Sequence, residues 1–393
     1  MNRVRPFAAV LVLLLCAGPA LAQPTGGACQ IGPGLGATLL YPYFELDLAD
    51  PLNVTTLVAA ANGGSDAVLT RFILWTDWGI PTIAFDVYLE PFAVQTLNLR
   101  DVFNGILPST GEGVDLSTIP LCAAHPPSHA NPALTPEQRA QLAADHTGVD
   151  GPLAFNCAGS PHPDQIARGY ITVDVVDQCS GVEGYDPTYT PKNTTYPYFD
   201  NGAGTGIAVN NNVLWGDVVY IDADNAAAQG SEAIALWASA AQFSGTGIYT
   251  FYGRFSAWDG RDDRVPLPRL WDQRFVNGGP FAGAADLIVW RDPGVPVTYP
   301  ACGSEPAWYP LATSNNVALD EGGDNAYNFG NGAFPLATQR VSVASLAIPF
   351  SFGWAQLGTG TSQSWVQPTL GAAGLFSASW NGTPVLFNCG ARP

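Results

Sequence analysis

The chain has 393 residues, of which 47% are hydrophobic and only 12% are charged. This composition excludes a largely disordered chain, because disorder requires low hydrophobicity and high charge, and the length is typical of two domains. The 15 basic residues are outnumbered by 33 acidic ones, so the formal net charge is -18. Nucleic acid and anionic lipid surfaces are therefore excluded as partners, because both would repel such a chain.

The first 22 residues have the pattern of a secretory signal peptide. Arg3 and Arg5 supply positive charge, residues 7–16 form an apolar stretch, and residues 20–22 (Ala-Leu-Ala) form a small-x-small cleavage site. Cleavage after Ala22 is expected, which predicts a secreted or periplasmic protein. The apolar stretch is too short to span a bilayer, and no later window approaches the roughly 18 apolar residues of a transmembrane helix. No transmembrane segment is expected.

Strand-like runs dominate the remaining sequence. They are rich in β-branched and aromatic residues and are bounded by Gly, Pro, Asn and Asp. They cover 38–48, 54–61, 68–76, 83–89, 93–99, 169–177, 213–221, 232–238, 247–257, 286–291, 340–353 and 374–387. Only 135–145 predicts a helix, with Thr135 as its N-cap and Pro136 as its first residue. Short strands in close succession indicate an all-β sandwich or barrel.

An internal repeat lies within these strands. Residues 62–91 align without gaps on residues 277–306, with 11 identities in 30 positions. The shared pattern is Asn-Gly-Gly followed by Trp-x-Asp-x-Gly-[Ile/Val]-Pro. It predicts a duplicated hairpin: one strand ends at Asn-Gly-Gly, a second returns to the Trp, and the Pro then stops that strand.

The repeat predicts two related β-sandwich domains. The segment 55–77 is similar to the paired strands of bacterial immunoglobulin-like modules, so we expect immunoglobulin-like domains. Domain 1 would cover 29–180 and domain 2 would cover 205–393, joined by a linker at 181–204. A long loop insertion at 104–168, containing the one short helix, would interrupt domain 1.

Cysteine usage fits an exported protein. Removal of residues 1–22 leaves an even number of cysteines, which predicts three disulfide bonds. Sequence alone leaves their connectivity open, although a bond between Cys122 and Cys157 would close the least regular segment. The predicted disulfide cysteines are Cys29, Cys122, Cys157, Cys179, Cys302 and Cys389.

Two groups of residues could bind metal ions. The insertion holds all four histidines, His125, His129, His146 and His162. They could bind zinc or copper, but two prolines separate the first pair, and solvated loop histidines are the favoured interpretation. Three acidic turns could bind calcium, which requires six to eight oxygen ligands, and ordinary polar turns are the alternative. The candidate calcium ligands are Asp222, Asp224, Asp259, Asp262, Asp263, Asp320 and Asp324.

Most enzyme chemistries lack their motifs here. The chain has no Gly-x-Ser-x-Gly elbow, no Ser-x-x-Lys and no His-Glu-x-x-His, and its only lysine, Lys192, lies in a Pro- and Thr-rich segment. No catalytic or cofactor-binding residue is predicted. Glycoside hydrolysis needs only two carboxylates and aromatic platforms. It stays open because 75–77, 258–259 and 271–272 place Trp beside Asp.

The repeated Trp-x-Asp motif has a simpler interpretation than a catalytic one. Trp75 and Trp290 occupy equivalent positions, which predicts two buried core side chains. Their Asp neighbours, Asp77 and Asp292, are expected to organise the following turns by accepting hydrogen bonds from backbone amides.

Several stretches together resemble a group of large, uncharacterised secreted bacterial proteins. They include 72–81 (FILWTDWGIP), 85–89 (FDVYL), 98–101 (NLRD) and 212–217 (NVLWGD). The resemblance covers most of the mature chain and implies export and β architecture, but no activity, ligand or catalytic residue.

The sequence therefore favours an exported, non-enzymatic β-sandwich protein. It would act as a binding or structural module of the cell envelope or extracellular space, with an unknown protein or polysaccharide ligand. Exposed aromatic side chains, and acidic loops that could hold calcium, would form its contact surface. The alternatives are an extracellular carbohydrate-active hydrolase and a lectin-like protein.

Overall fold

The computed structural model describes the chain in segments, which are residues 34–108, 133–153, 158–179, 191–192, 198–199, 207–224, 226–239, 250–253, 262–278, 284–294, 300–311, 314–330, 332–358 and 363–369. The strands are β1 (Thr38–Asp47), β2 (Val54–Asn62), β3 (Val68–Thr76), β4 (Pro81–Leu89), β5 (Val94–Asn98), β6 (Ile166–Val176), β7 (Leu214–Asp222), β8 (Ala227–Glu232), β9 (Ile234–Leu236), β10 (Leu270–Val276), β11 (Asp286–Arg291), β12 (Ser314–Asp320), β13 (Ala326–Asn328), β14 (Thr338–Ser342), β15 (Phe352–Gly358) and β16 (Ser364–Thr369). The helices are α1 (Leu99–Phe103), α2 (Pro136–Thr147) and a 3-10 turn at Val343–Leu346.

These strands form four antiparallel sheets, and the all-β prediction is confirmed. The central sheet has the order β4-β3-β6-β1-β9, and the front sheet has the order β5-β2-β7-β8. The back sheet is β14-β11-β16, and the end sheet is β10-β15-β12-β13. Within the described segments, no helix has the length and apolar character needed to cross a membrane.

The central sheet is covered on both faces. Along β3, Val68, Phe72 and Leu74 contribute to a core shared with β2 and β7 of the front sheet. The alternate residues Ile73 and Trp75 contribute to a second core, shared with the back and end sheets. Because successive side chains point to opposite faces of a strand, β3 is buried at every position and mostly apolar. This explains the continuous apolar runs in the sequence.

The Asn-Gly-Gly segment at 62–64 does not close a hairpin, so that prediction is wrong. β2 lies in the front sheet and β3 in the central sheet, so the segment is a corner between two layers. The hairpin forms one strand later, between β3 and β4, where Gly79 has a φ of 73°. Pro81 begins β4 opposite Trp75 instead of stopping the strand. Both connections contain Gly and join apolar strands, so local sequence does not distinguish them.

The two copies of the repeat occupy similar places and meet in the core. β3 and β11 are each an interior strand of their sheet, and Trp75 and Trp290 are both buried, as expected. The ring of Tyr170 lies between them, stacked on Trp75 at 5.6 Å and edge-on to Trp290 at 5.8 Å. The duplicated tryptophans therefore join the central sheet to the back sheet.

Tyr170 gives a direct test of this packing. Its hydroxyl oxygen is buried and has no hydrogen bond of good geometry, although it interacts with the Trp290 side chain, and an unsatisfied buried polar group costs about 1–3 kcal/mol. We expect Tyr170→Phe to leave the free energy of unfolding unchanged or to raise it by about 1 kcal/mol. Tyr170→Ala should lower it by about 3–5 kcal/mol, because the ring between the tryptophans is lost. Urea titration of both variants measures the difference, and a large loss in Tyr170→Phe would contradict it.

Sheet pairing does not follow the division predicted at 181–204. β7, β8 and β9 lie beyond that division, yet they pair with β2 and β1 and complete the front and central sheets. The remaining strands, β10–β16, form the back and end sheets. Immunoglobulin-like topology stays a prediction.

The helix predicted in the insertion is present as α2. The Thr135 hydroxyl oxygen accepts a hydrogen bond from the Gln138 amide at 3.2 Å, while the Gln138 side chain accepts one from the Thr135 amide at 2.9 Å. This reciprocal cap satisfies two amides that a helix start otherwise leaves unpaired.

Candidate functional site

A cavity of about 330 Å³ lies where the central, front and back sheets meet. β1 and β6 of the central sheet, β2, β7 and β8 of the front sheet, and β11, β14 and β16 of the back sheet all contribute lining residues. Junctions between packed units are common positions for ligand sites of this size. We therefore treat the cavity as the candidate functional site.

An ion triad forms one wall of the cavity. Arg340 on β14 donates from Nε to Asp286 on β11 at 2.7 Å, and from Nη1 to Glu45 on β1. The Tyr43 hydroxyl donates to the other Glu45 oxygen at 3.0 Å. Burial lowers the pKa of Arg340, but the two carboxylates outweigh it and the pKa is raised overall. Both carboxylates are thus already engaged by the same guanidinium group.

The other polar groups of the cavity are paired in a similar way. Arg168 on β6 makes two bonds with Asp164, at 2.9 and 2.5 Å. Thr369 donates its hydroxyl to the amide oxygen of Gln229 at 2.6 Å. The lining therefore offers amides and hydroxyls, and both of its guanidinium groups already have acidic partners.

The acidic turn at Asp320 is stabilised from within. One Asp320 oxygen accepts hydrogen bonds from the backbone amides of Asp324 and Asn325 at 2.9 and 3.2 Å. The other accepts from the Asn325 side chain at 2.5 Å. These bonds, led by the Asn325 side chain, lower the pKa of Asp320. Asp320 therefore organises a polar turn, while Asp324 is exposed.

The other candidate calcium ligands are dispersed. Asp222 lines the cavity, and Asp224 is exposed. Asp262 is fully buried, and Asp263 accepts a hydrogen bond from Asn210 at 3.0 Å. Asp259 lies outside the described residues. No cluster of three metal-ligating side chains occurs in the part of the chain that the structure describes, and calcium binding stays a prediction.

The expectation of solvated loop histidines is wrong for His146, which is buried on α2. Its Nε2 lies 2.9 Å from the Thr82 hydroxyl and its Nδ1 lies 2.8 Å from the carbonyl oxygen of Arg168. Burial lowers its pKa to about 4. Because protein groups occupy both nitrogens, His146 is unsuited to ligate a metal ion. His162 pairs with the carboxylate of Asp77.

The repeated aspartates behave differently in the two copies. Asp292 accepts a hydrogen bond from the Gly294 amide at 2.9 Å, so it organises its turn as expected. Asp77 instead accepts from the Ser160 amide at 2.9 Å and pairs with His162 Nε2 at 2.8 Å. The expectation is therefore wrong for Asp77, whose carboxylate is engaged by the segment after α2. His125 and His129 lie outside the described residues.

The Trp-Asp pairs considered for glycoside hydrolysis do not form an open site in the described segments. Trp271 is fully buried and its ring packs edge-on against Trp365 at 5.0 Å. Asp272 is also buried, and as the next residue of β10 it points to the opposite face. The pair at 258–259 lies outside the described residues. The carboxylates that do share a cavity, Glu45, Asp222 and Asp286, carry no local sequence signal for hydrolysis.

A buried charge cluster, absent from the sequence predictions, ties the central sheet to later segments. Arg264 is fully buried, with Asp174 at 3.4 Å and Asp262 at 3.6 Å. It donates to Asn210 Oδ1 at 3.1 Å, and its guanidinium carbon lies 5.0 Å from the centre of the Phe199 ring. Desolvation lowers the pKa of Arg264, but the two carboxylates raise it overall.

Asp174 is the hub of this cluster on β6. It accepts hydrogen bonds from the hydroxyls of Tyr198 at 2.7 Å and Tyr252 at 2.9 Å, and from that of Thr38. Burial, reinforced by the charge of Asp174, raises the pKa of both tyrosines. Segments 198–199, 250–253 and 262–264 are therefore fastened to the central sheet by buried polar bonds.

The predicted disulfides and aromatic surface are only partly within the described residues. Cys179 is buried, Cys302 is exposed, and both are disulfide-bonded. The other four cysteines lie outside the described residues, so the connectivity stays a prediction. Trp215 on β7 and Phe92 before β5 are exposed at 45% and 72%, and they provide aromatic surface on or beside the front sheet.

No protein-family model, curated protein or solved structure matches the chain.

Proposed function

We propose that the chain is an exported, non-enzymatic binding protein that holds a neutral saccharide in the cavity. The observation that supports this most is the composition of the lining. The tyrosine side chains of Tyr43 and Tyr220 lie beside amide and hydroxyl groups of Asn53, Gln229 and Thr369. Amides and hydroxyls can exchange hydrogen bonds with sugar hydroxyls, and the volume suits a small ligand.

Charge favours a neutral ligand over an ionic one. Arg340 and Arg168 already face carboxylates, so an anion entering the cavity would compete with bonded acidic groups. The lining contains three acidic residues, Glu45, Asp222 and Asp286, against these two arginines. Anions are disfavoured by this balance, whereas hydroxyl groups need no countercharge.

Hydrolysis is the second candidate, because Glu45 and Asp286 bring two carboxylates to one cavity. Glycosidases require one carboxyl group that donates a proton and a second that attacks or activates water. Glu45 and Asp286 both accept hydrogen bonds from Arg340, so the same guanidinium group already engages both carboxyl groups. Binding without turnover is therefore the preferred function.

Export is part of the same proposal. The pattern of residues 1–22 supports passage through a secretory pathway, and disulfide bonding of Cys179 and Cys302 suits an oxidising compartment. Such a protein would meet polysaccharides of the envelope or the extracellular space.

A cavity-filling substitution tests the proposal. Ala227 lines the cavity from β8, and we expect Ala227→Trp to weaken saccharide binding at least tenfold by occupying the site. Ala140→Trp is the matched control, because Ala140 is exposed on α2, which contributes nothing to the lining. The probes are neutral oligomers of glucose, mannose, galactose and N-acetylglucosamine, measured by calorimetry.

The outcomes separate the candidates. If the parent protein and the control bind one of the oligomers and Ala227→Trp does not, the binding function is supported. Release of dye from dye-linked polysaccharides would establish the hydrolase instead. Absence of binding to every oligomer, or equal binding by both variants, would overturn the assignment of the cavity.

A further inference from the structure

The only lysine of the chain, Lys192, is buried against a carboxylate. Its side chain is 2% exposed, and its Nζ contacts Oδ1 of Asp292, whose side chain is 8% exposed. The two residues are 100 positions apart in the sequence. Lysine is rarely buried to this extent, because its charge is normally solvated. The contact therefore calls for an explanation beyond surface ion pairing.

Asp292 is held rigidly in front of the amine. Its Oδ1 accepts a hydrogen bond from the Gly294 amide at 2.9 Å, and its Oδ2 accepts one from the Gln363 side chain at 3.2 Å. Its backbone amide donates to the carbonyl oxygen of Gln363 at 3.0 Å. Gln363 is itself fixed, since its side chain also donates to the carbonyl oxygen of Phe251 at 2.7 Å. The carboxyl carbon therefore has one defined position beside Lys192 Nζ.

We propose that Lys192 and Asp292 condense to form an intramolecular amide bond. A proton first passes from the ammonium group to the carboxylate, which gives a neutral amine and a carboxylic acid. Nζ then attacks the carboxyl carbon, a proton moves from nitrogen to a carboxyl oxygen, and the C–O bond breaks. One water molecule leaves for each amide formed, and the reaction needs no oxidant, reductant or co-reactant.

Two features of the surroundings favour this reaction over a permanent ion pair. The contact between Nζ and Oδ1 holds the amine beside the carboxyl group and supplies the proximity that an intermolecular reaction lacks. The Gly294 amide donates to Oδ1 and the Gln363 side chain donates to Oδ2, so either oxygen that gains charge during the attack has a hydrogen-bond donor. Gly294 and Gln363 therefore act as positioning residues.

The other copy of the repeat provides an internal comparison. Asp77 occupies the position equivalent to Asp292, but its partner is the imidazole of His162. A bond between carboxyl and imidazole would be hydrolysed readily, whereas an amide of a lysine is stable. The duplication thus holds one reversible pair and one pair able to become covalent.

Digestion with a protease that cuts only after lysine tests the proposal on the full chain. The protein is unfolded in urea and its disulfides are reduced before digestion. We expect the chain to stay in one piece, because an acylated Lys192 is no longer recognised. Two fragments, one that ends at residue 192 and one that begins at residue 193, would show a free lysine and overturn the proposal.

Mass spectrometry locates the bond independently. Cleavage after arginine should release fragments 169–254 and 292–340 joined together after reduction, lighter than their sum by one water molecule. Asp292→Asn should give the same linked pair with loss of ammonia from its carboxamide, and Asp77→Asn should leave the link intact. Lys192→Met should abolish it. Separate fragments of unmodified mass in the parent protein would contradict the proposal whether or not the variants fold.

Discussion

Replacement of Arg264 by methionine is expected to lower the free energy of unfolding by about 3–5 kcal/mol, because it leaves buried carboxylates unpaired. Asp174 and Asp262 lie 3.4 and 3.6 Å from the Arg264 guanidinium group, and all three residues are 0% exposed. Methionine fills much of the volume but offers no hydrogen bond to either acid. A loss of this size is a large part of the total stability of a typical domain.

Urea unfolding with the disulfides intact measures this loss. Arg274→Met is the matched control, since Arg274 is exposed on β10 and its guanidinium carbon lies 4.6 Å from the Trp354 ring. An exposed contact of that kind contributes about 0.5–1 kcal/mol. Equal losses in the two variants would show that the buried cluster does not anchor the later segments to the central sheet.

The second large effect concerns pH and Asp145 on α2. Burial raises the pKa of Asp145 from 3.8 to about 7, despite a hydrogen bond from Gln141. In the unfolded chain the carboxyl ionises at lower pH, so its contribution to stability is full below 3.8 and is lost as pH rises through about 7. The loss amounts to about 4 kcal/mol. Asp145→Asn should therefore be more stable than the parent at pH 8, by up to this amount, and equal to it below pH 4.

His146 acts in the opposite direction. Burial lowers its pKa from 6.5 to about 4, so the folded state loses about 3 kcal/mol as pH falls through this range. Between pH 4 and 6.5, Asp145 and His146 change the free energy of unfolding with pH in opposite directions, and the two effects cancel. In Asp145→Asn only the effect of His146 should remain. Its stability should then rise with pH across this window.

Free energies of unfolding measured at pH 4, 6.5 and 8 test the effects predicted for Asp145 and His146. Asp164→Asn is the control, because Asp164 is 43% exposed and its pairing with Arg168 lowers its pKa to about 2. Its contribution is present above pH 3.8, so this variant should lose stability at pH 8, by less than about 1 kcal/mol for an exposed pair. A parallel response of the two variants would disprove burial as the cause of the raised pKa of Asp145.

Local patterns predicted strands β1 to β7 and helix α2 but missed α1, β10, β12, β13 and β16. The alternating acidic and apolar residues at 43–48 fall within or at the end of β1, and the Thr135 cap begins α2 where expected. Trp75 and Trp290 are buried because their spacing in the repeat reflects equivalent places in two sheets. These features depend on neighbours in sequence, so a pattern of a few residues is sufficient to find them.

Features that depend on distant residues were not predicted. The corner at 62–64 differs from a hairpin only in which strand pairs next, and turn residues are similar in both. The cavity triad joins Glu45, Asp286 and Arg340 from three separate strands. An isolated charged residue in a strand looks like a solvent-facing position in sequence, so only the packing of the sheets brings these three together.

The pairing of β1 has a consequence for how the chain acquires its structure. β1 lies between β6 and β9, with Thr38 opposite both Asp174 and Leu236. Contacts between such distant residues make folding slow, because long loops must close before the contacts form. Until residue 236 has been synthesised, the central sheet lacks its last strand. The central sheet can therefore be completed only late in synthesis, which would suit the proposed export.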